Sequence, residues 1–317
     1  MSDQVKDAYD VVVIGGGAAG LNGALQLARS RRSVLVVDAG QQRNRPAPAV
    51  HGLLGHDGVP PAELLARGRD EVRRYGGQVV AAEVAAVGGE LDAGFTVTLA
   101  SGRVVRARRL LVASGLVDEL PDIPGLRERW GRDVVHCPYC HGWEVRDQPI
   151  GVLASGPRSV HQALLFRQLS DDVSYFRQGT ELDDGAAAQL AARGIRVVDG
   201  TVSAVVIAGD HLAGVRLTDG STVPRQALAV AARMTARAGF LADLGLKASE
   251  HPGGMGTYLP ADPAGRTEVP GVWAAGNVTD LGAQVGAAAA AGALAGAVIN
   301  ADLVEEDTRR AVAAQAG

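Results

Sequence analysis

Thiols are almost absent from this chain: its 317 residues contain two cysteines, Cys137 and Cys140. So few cysteines cannot staple a secreted scaffold, and they offer no second pair to complete an ordinary four-ligand zinc site. Aromatic residues are also scarce, at 4%. No dense block of Lys or Arg occurs and the net charge is −4, which argues against nucleic acid or an anionic membrane as a partner. No apolar run reads as approaching the roughly 20 residues that span a bilayer. Met1 to Asp10 is polar and leads into a strand, so no signal peptide is expected, and a reducing cytoplasm is the expected setting. What is present is 47% hydrophobic and 21% charged residues over a two-domain length, with 42 glycines for tight turns and close backbone approaches.

Asp10 to Ile14 is a β-branched run followed by Gly15, Gly16, Gly17 and Gly20. Leu21 to Arg31 has helical periodicity, and Ser33 to Val37 reads as a second strand ending at Asp38. Residues 41–61, rich in Arg, Pro, Gly and His, read as an irregular surface segment, and Pro61 to Tyr75 as a helix. A meander follows through Phe95–Leu99 and Val104–Val105 to Leu110–Gly115. The pattern then repeats: strand Ile150–Leu153, helix Ser159–Leu169, strand Val173–Phe176, and a meander over Val202–Ile207, Gly214–Leu217 and Ala227–Ala231. A last strand at Val272–Ala275 and an Ala/Gly-rich helix belong to neither meander and are expected to return to the first unit.

Gly15 to Gly20 satisfies GxGxxG between a strand and a helix, with Asp38 placed to accept hydrogen bonds from a ribose. The first glycine permits the turn, the second lets a pyrophosphate approach, and the third lets helix and strand pack closely. The helix N-terminus beyond offers free N–H groups to phosphate. In the second unit the corresponding loop is Ala154-Ser155-Gly156-Pro157-Arg158-Ser159. Ala154 puts a Cβ in the turn and Pro157 removes a donor, so this nucleotide site reads as degraded. Arg177, after the next strand, could meet a 2′-phosphate or stand as a solvated surface residue.

The cysteines form Cys137-Pro138-Tyr139-Cys140-His141. A disulfide over so short a loop removes little chain entropy, so it is a poor staple and a suitable thiol-exchange switch. Pro138 suits a first helical position with Cys137 as cap, which would lower the Cys137 pKa. His136 and His141 flank the pair as candidate proton acceptors. Two other readings stand beside redox: an inert buried pair, and a zinc site completed by nearby histidines.

On these residues the chain resembles the low-molecular-weight thioredoxin reductase family of flavoproteins. Gly15, Gly17, Ala18, Ala19, Gly20 and Asp38 are similar to its FAD pyrophosphate and ribose site. Ala113-Ser114-Gly115 resembles its short middle motif, and Gly271 to Asn277 resembles its second FAD motif, including Gly276 and Asn277. Gln284 and Val285 open the helix that faces the flavin in the family. The resemblance implies an α/β fold of two tandem Rossmann-like dinucleotide-binding domains, each with a β-meander. The FAD domain would span 1–117 and 246–317, around an NAD(P)-binding-like domain, 118–245, carrying the CxxC.

Three departures stand out: Asn277 where the family has Asp, His141 where it has an acid, and the missing NADPH loop. They resemble the dithiol oxidase branch, similar to enzymes that close gliotoxin-, holomycin- and romidepsin-type disulfides. That branch implies FAD as cofactor, no metal, a small-molecule dithiol as substrate, O2 as acceptor yielding H2O2, and a homodimer. In that mechanism a substrate thiolate attacks Cys137, Cys140 lies nearest the flavin, His141 is the first acid/base and His136 the second. His51 lies in a segment that approaches the flavin in the family, and reads either as a site residue or as a surface histidine. The rival expectations are a reductase driven by NAD(P)H or ferredoxin and acting on a thioredoxin-like protein, and a non-catalytic flavin redox sensor.

Overall fold

In the computed structural model, which describes residues 5–316, the β-branched run becomes β1 (Ala8–Ile14). It is buried on both faces, as an unbroken apolar run requires. Val12 and Ile14 enter one core with Leu110 and Phe95, while Val11 and Val13 enter the other with Leu27 and Ile299. Helix α1 (Ala18–Arg29) starts inside the glycine loop, ahead of the apolar periodicity at Leu21. Strand β2 (Val34–Asp38) pairs in parallel with β1. Helix α2 (Pro61–Arg74) takes proline at its first position, where no N–H is needed. It leads to β3 (Gln78–Ala81) beside β2. An antiparallel meander of β4 (Val84–Glu90), β5 (Gly94–Leu99) and β6 (Val104–Val112) follows, and β6 also runs parallel to β1.

Strand β7 (Leu116–Glu119) leaves this sheet. Helix α3 (Leu126–Arg129) and β8 (Val134–Val135) lead to α4 (Pro138–His141), a single turn. The second unit repeats the first with β9 (Ile150–Leu153), α5 (Ser159–Phe166), β10 (Val173–Phe176), α6 (Asp184–Ala192) and β11 (Arg196–Val198). Its meander is β12 (Val202–Ala208), β13 (His211–Leu217) and β14 (Thr222–Pro224). Gly209 and Asp210, at φ 56° and 63°, make the turn between β12 and β13. Two successive positive φ values match the twist of a tight hairpin. Strand β15 (Ala227–Val230) completes a parallel sheet ordered β11-β10-β9-β15-β8.

Strands β16 (Arg233–Ala236), β17 (Ser249–Glu250) and β18 (Gly256–Tyr258) form a small linking sheet with β7. These strands are too short to show a period in the sequence. Strand β19 (Val272–Ala274) then returns to the first sheet, pairing with the C-terminal part of β6 from Val272↔Leu110 to Ala274↔Val112. Helix α7 (Val285–Ala316) ends the chain.

Helix α7 corrects the expectation of no bilayer-length apolar run. Residues 281–301 carry no Asp, Glu, Lys or Arg, and among the described residues α7 is long and apolar enough to cross a membrane, by length and composition alone. Its small residues serve a protein contact. A Cβ at Gly292 would overlap the Ala19 carbonyl, and one at Gly23 would strike the Gly292 carbonyl. Helices α1 and α7 therefore meet backbone to backbone. Further along, buried Arg109 holds Asp302 at 2.5 Å and Glu306 at 2.8 Å, tying α7 to β6. Gly292→Val forces the two helices apart. It should cost roughly 1–3 kcal/mol, read as a fall in thermal midpoint by circular dichroism.

Candidate functional site

The N-terminus of α1 and the loops around it build a cradle. Gly15 has φ 110°, and a Cβ there would overlap the Ala113 carbonyl, so the turn excludes other residues. A Cβ at Gly20 would overlap the Gly15 carbonyl, whereas the space above Gly17 is open. Gly17 caps α1 without a side-chain bond, and no acid lies in the first turn of Ala18 and Ala19, so the helix presents N–H groups and positive charge. Asp38 ends β2. Its carboxylate accepts the Gly40 N–H (3.0 Å) and the Gln42 side-chain amide (3.0 and 3.1 Å), with Arg69 at 3.8 Å.

Ala113, Ser114 and Gly115 follow β6. Ser114 Oγ donates to the Arg237 carbonyl (2.6 Å) and the Arg237 N–H donates to the Gly115 carbonyl (3.0 Å), which stitches the returning chain to the cradle. Asn277, after Gly276, donates its amide to the carbonyls of Asp280 (3.0 Å) and Ala283 (2.9 Å). An aspartate could donate to neither. Asn277 thus holds the loop in front of α7 and keeps its Oδ1 as an acceptor for a hydroxyl. Gln284 and Val285 stand at the N-terminus of α7, again with no acid in the first turn.

Gly15, Gly17, Ala18, Ala19, Asp38, Ala113 to Gly115, Asn277, Gln284 and Val285 all line one cavity of about 870 Å³. Gly20 and Gly276 support it from behind. Two helix N-termini and an open glycine turn offer N–H groups to a pyrophosphate, and the Asp38 carboxylate on the cavity wall can accept from a hydroxyl, so the residues fit FAD.

Cys137, Cys140, His136 and His141 line the same cavity. Cys137 caps α4 in extended conformation with Pro138 at the first position, and the Cys140 and His141 N–H groups bond its carbonyl (3.2 and 3.1 Å). Both cysteines are free thiols, half-buried. The Cys140 thiol donates to Cys137, and this is the main cause that lowers the Cys137 pKa to about 7; the N–H groups of Tyr139 and Cys140 add to it, and burial opposes them. Cys140 is pushed up by the same bond, by burial and by the charge of Cys137. The pair therefore holds one proton and one thiolate near neutral pH.

His136 Nδ1 lies 3.1 Å from the Val230 carbonyl. A carbonyl only accepts, so Nδ1 carries the proton and Nε2 keeps its lone pair. Burial first, then the Arg43 charge, lowers its pKa. His141 is lowered by burial, with Glu144 opposing and His51 adding. Both rings are thus neutral bases at pH 7.

Segment 41–61 is irregular and largely exposed up to Pro60, as expected, and most of its residues 41–51 also wall the cavity. Val50 is buried and bridged to Val59, and Gln42, Arg43 and His51 line the cavity. Arg43 forms a bidentate pair with Asp118 at 2.7 and 2.8 Å and also reaches the Leu281 carbonyl. Its charge favours the thiolates of both cysteines. Sequence reasoning missed Arg43, because a lone arginine in an irregular segment carries no period. Its partner Asp118 is distant in sequence and equally unmarked.

The second glycine loop is closed on itself. The N–H groups of Ser155 and Gly156 both donate to Ser159 Oγ (3.2 and 3.1 Å), Ser159 Oγ donates to the Gly156 carbonyl, and Pro157 has no N–H. Arg158 bonds Met255. Two N–H groups of the loop are thereby used within the protein and a third is lost at Pro157. Arg177 pairs with Asp199 at 2.8 Å and bonds the Thr180 carbonyl, so it is committed within the protein.

A profile of the pyridine nucleotide-disulphide oxidoreductase family matches residues 9–294. The chain is 34% identical over 289 residues to thioredoxin reductase tcpT of Claviceps purpurea (strain 20.1), covering 86% of this chain and 87% of the relative. It is 32% identical to thioredoxin reductase sirT of Leptosphaeria maculans, covering 85% and 86%. Among solved structures, HlmI superposes with a TM-score of 0.92 at 48% identity, covering 99% of this chain and 98% of that one.

Alkylation of the reduced protein with iodoacetamide, located by mass spectrometry, should modify Cys137 with a midpoint near pH 7, rising with pH as the thiolate forms. Cys140→Ala removes the sulfur donor, and the midpoint should rise by roughly a unit or more.

Proposed function

The chain belongs to the pyridine nucleotide-disulphide oxidoreductase family, and from that premise we propose that it is a flavin-dependent dithiol oxidase that closes a disulfide in a small dithiol. The observation that carries this reading is one cavity that joins the FAD cradle to Cys137 and Cys140, next to a second nucleotide loop that spends two N–H donors internally and lacks a third at Pro157. Electrons would enter from the thiol side because the nicotinamide side has lost its phosphate grip.

FAD, when bound, supplies the two-electron acceptor that empties the Cys137–Cys140 pair toward O2, giving H2O2. The protein does the rest. In the oxidised pair a substrate thiolate attacks Cys137 and the sulfur of Cys140 leaves and takes up a proton; the lower pKa of Cys137 then makes it the good leaving group of the mixed disulfide. The second substrate thiol closes the product disulfide and releases Cys137. Cys140 keeps its proton until His141 or His136, each with a free ring lone pair, removes it. The N-terminus of α7 at Gln284 and Val285 faces the cavity and would steady negative charge arriving there. Asn277 positions that terminus through its two amide bonds.

We also propose a homodimer. Helix α7 exposes an apolar stripe that includes Leu294 and Val304, each 49% exposed, and a stripe of this length calls for a second apolar surface. Analytical ultracentrifugation should give twice the 32.5 kDa chain mass, and a monomer at micromolar concentration ends this assignment.

Anaerobic titration tests the direction of electron flow. Dithiothreitol should bleach the flavin fully, and NADPH should hardly do so. In air the dithiol should yield one peroxide per disulfide. Rapid bleaching by NADPH or reduced ferredoxin would instead assign a thioredoxin reductase, the name the relatives tcpT and sirT carry. Cys140→Ser should stay yellow and lose dithiol-driven peroxide formation by at least roughly 100-fold.

A further inference from the structure

His51 is held between two carboxylates from different parts of the chain. Its Nδ1 lies 3.4 Å from Asp57 Oδ2 and its Nε2 lies 3.4 Å from Glu144 Oε1. Asp57 is fixed in turn, because its other oxygen accepts the Gly52 N–H at 2.9 Å. Glu144 follows α4 by a short turn, so it is carried by the same segment as the thiols. His141 feels the charge of both Glu144 and His51.

The cluster is layered. Cys140, His141 and His51 line the cavity, whereas Glu144 and Asp57 do not. Side-chain exposure rises outward, from 25% at His51 to 34% at Glu144 and 68% at Asp57. The other charged groups nearby are committed elsewhere: Arg43 to Asp118 on the inner side, and Arg146 over the Trp143 ring at 4.0 Å. A titratable cluster thus crosses the wall, from the cavity that the thiols line to solvent.

The chemistry needs such a crossing. A dithiol that becomes a disulfide gives up two electrons and two protons. The acceptor beyond Cys140 retains one proton with the electron pair, so one proton must leave. It must come back when O2 takes two electrons and two protons to become H2O2. Resting on the dithiol-oxidising role of Cys137 and Cys140, we propose that Glu144, His51 and Asp57 form the proton path between His141 and bulk solvent. His51, which lines the cavity with His141, takes the proton across that cavity, and Glu144 and Asp57, each 3.4 Å from one of its ring nitrogens and more exposed than the ring, release it. No bond other than N–H and O–H is made or broken.

The test is anaerobic stopped-flow bleaching of the holoenzyme by dithiothreitol. Glu144→Gln and His51→Ala should each bleach at least roughly tenfold more slowly than wild type with unchanged FAD content. Added imidazole should restore the His51→Ala rate, which a merely structural role would not allow. Nitrogen NMR of the His141 ring reads the same link without turnover: its protonation midpoint should move down in Glu144→Gln, because the carboxylate charge raises it. Wild-type rates in either variant, a slow His51→Ala that imidazole leaves slow, or an unmoved His141 midpoint would overturn the path. If the wild type is bleached by NADPH and not by dithiothreitol, the oxidase reading fails. The variant-to-wild-type ratio for the later step, in which electrons from NADPH reduce the Cys137–Cys140 disulfide, then still decides the path, since hydride transfer needs no separate proton whereas forming the two thiols takes up one.

Discussion

The backbone contact between α1 and α7 is the constraint on which the site depends. Both helices start at the cavity, one after Gly17 and the other after Gln284, although the two positions lie at opposite ends of the sequence. Gly23 and Gly292 let the axes come close enough for both N-termini to face one ligand. Bulkier residues would separate the helices and divide the positive end of the cradle. The buried Arg109, bonded to Asp302 and Glu306, sets the tilt of α7 from the other end. Breaking that group would leave an uncompensated charge inside the protein.

The thiol pair gains its asymmetry from a turn of only four residues. Cys137 receives the Cys140 proton donor and two backbone N–H groups, while Cys140 receives none of these and carries the cost of burial beside a thiolate. One sulfur thereby carries the thiolate and the other the proton. Arg43 favours negative charge on both, held in place by a bidentate bond to Asp118. The neutral state of His136 and His141 completes the division, because a base is useful next to a protonated Cys140 and an acid is not.

The second unit keeps its shape without its ligand chemistry. Strands β9, β10 and β15 and helix α5 pack around Val152, Tyr175 and Phe166 as a nucleotide-binding unit would. The loop between β9 and α5 spends its donors on Ser159. Scaffold and phosphate grip separate here because packing depends on the apolar alternation of the strands, whereas the grip depends on a few N–H groups that a serine and a proline can remove.

Much was readable from residue order alone. The strands Ile150–Leu153 and Val173–Phe176, the glycine turn, and the cap at Cys137 all rest on local rules of period, φ and helix termini. Helix α6, β3, β4 and the linking sheet were not readable, since short or Ala-rich segments carry no decisive period. Residues that act through distant partners were hidden as well. Arg43 with Asp118, Ser114 with Arg237, and His51 between Asp57 and Glu144 each join segments far apart or unpatterned. Residue order by itself determined the two nucleotide-type units, the altered second glycine loop and the spacing and helix cap of the thiol pair, because each is written in neighbouring residues. Only the folded chain decided that the thiols open into the flavin cradle and which charges surround them, because burial and electrostatics depend on distances in space.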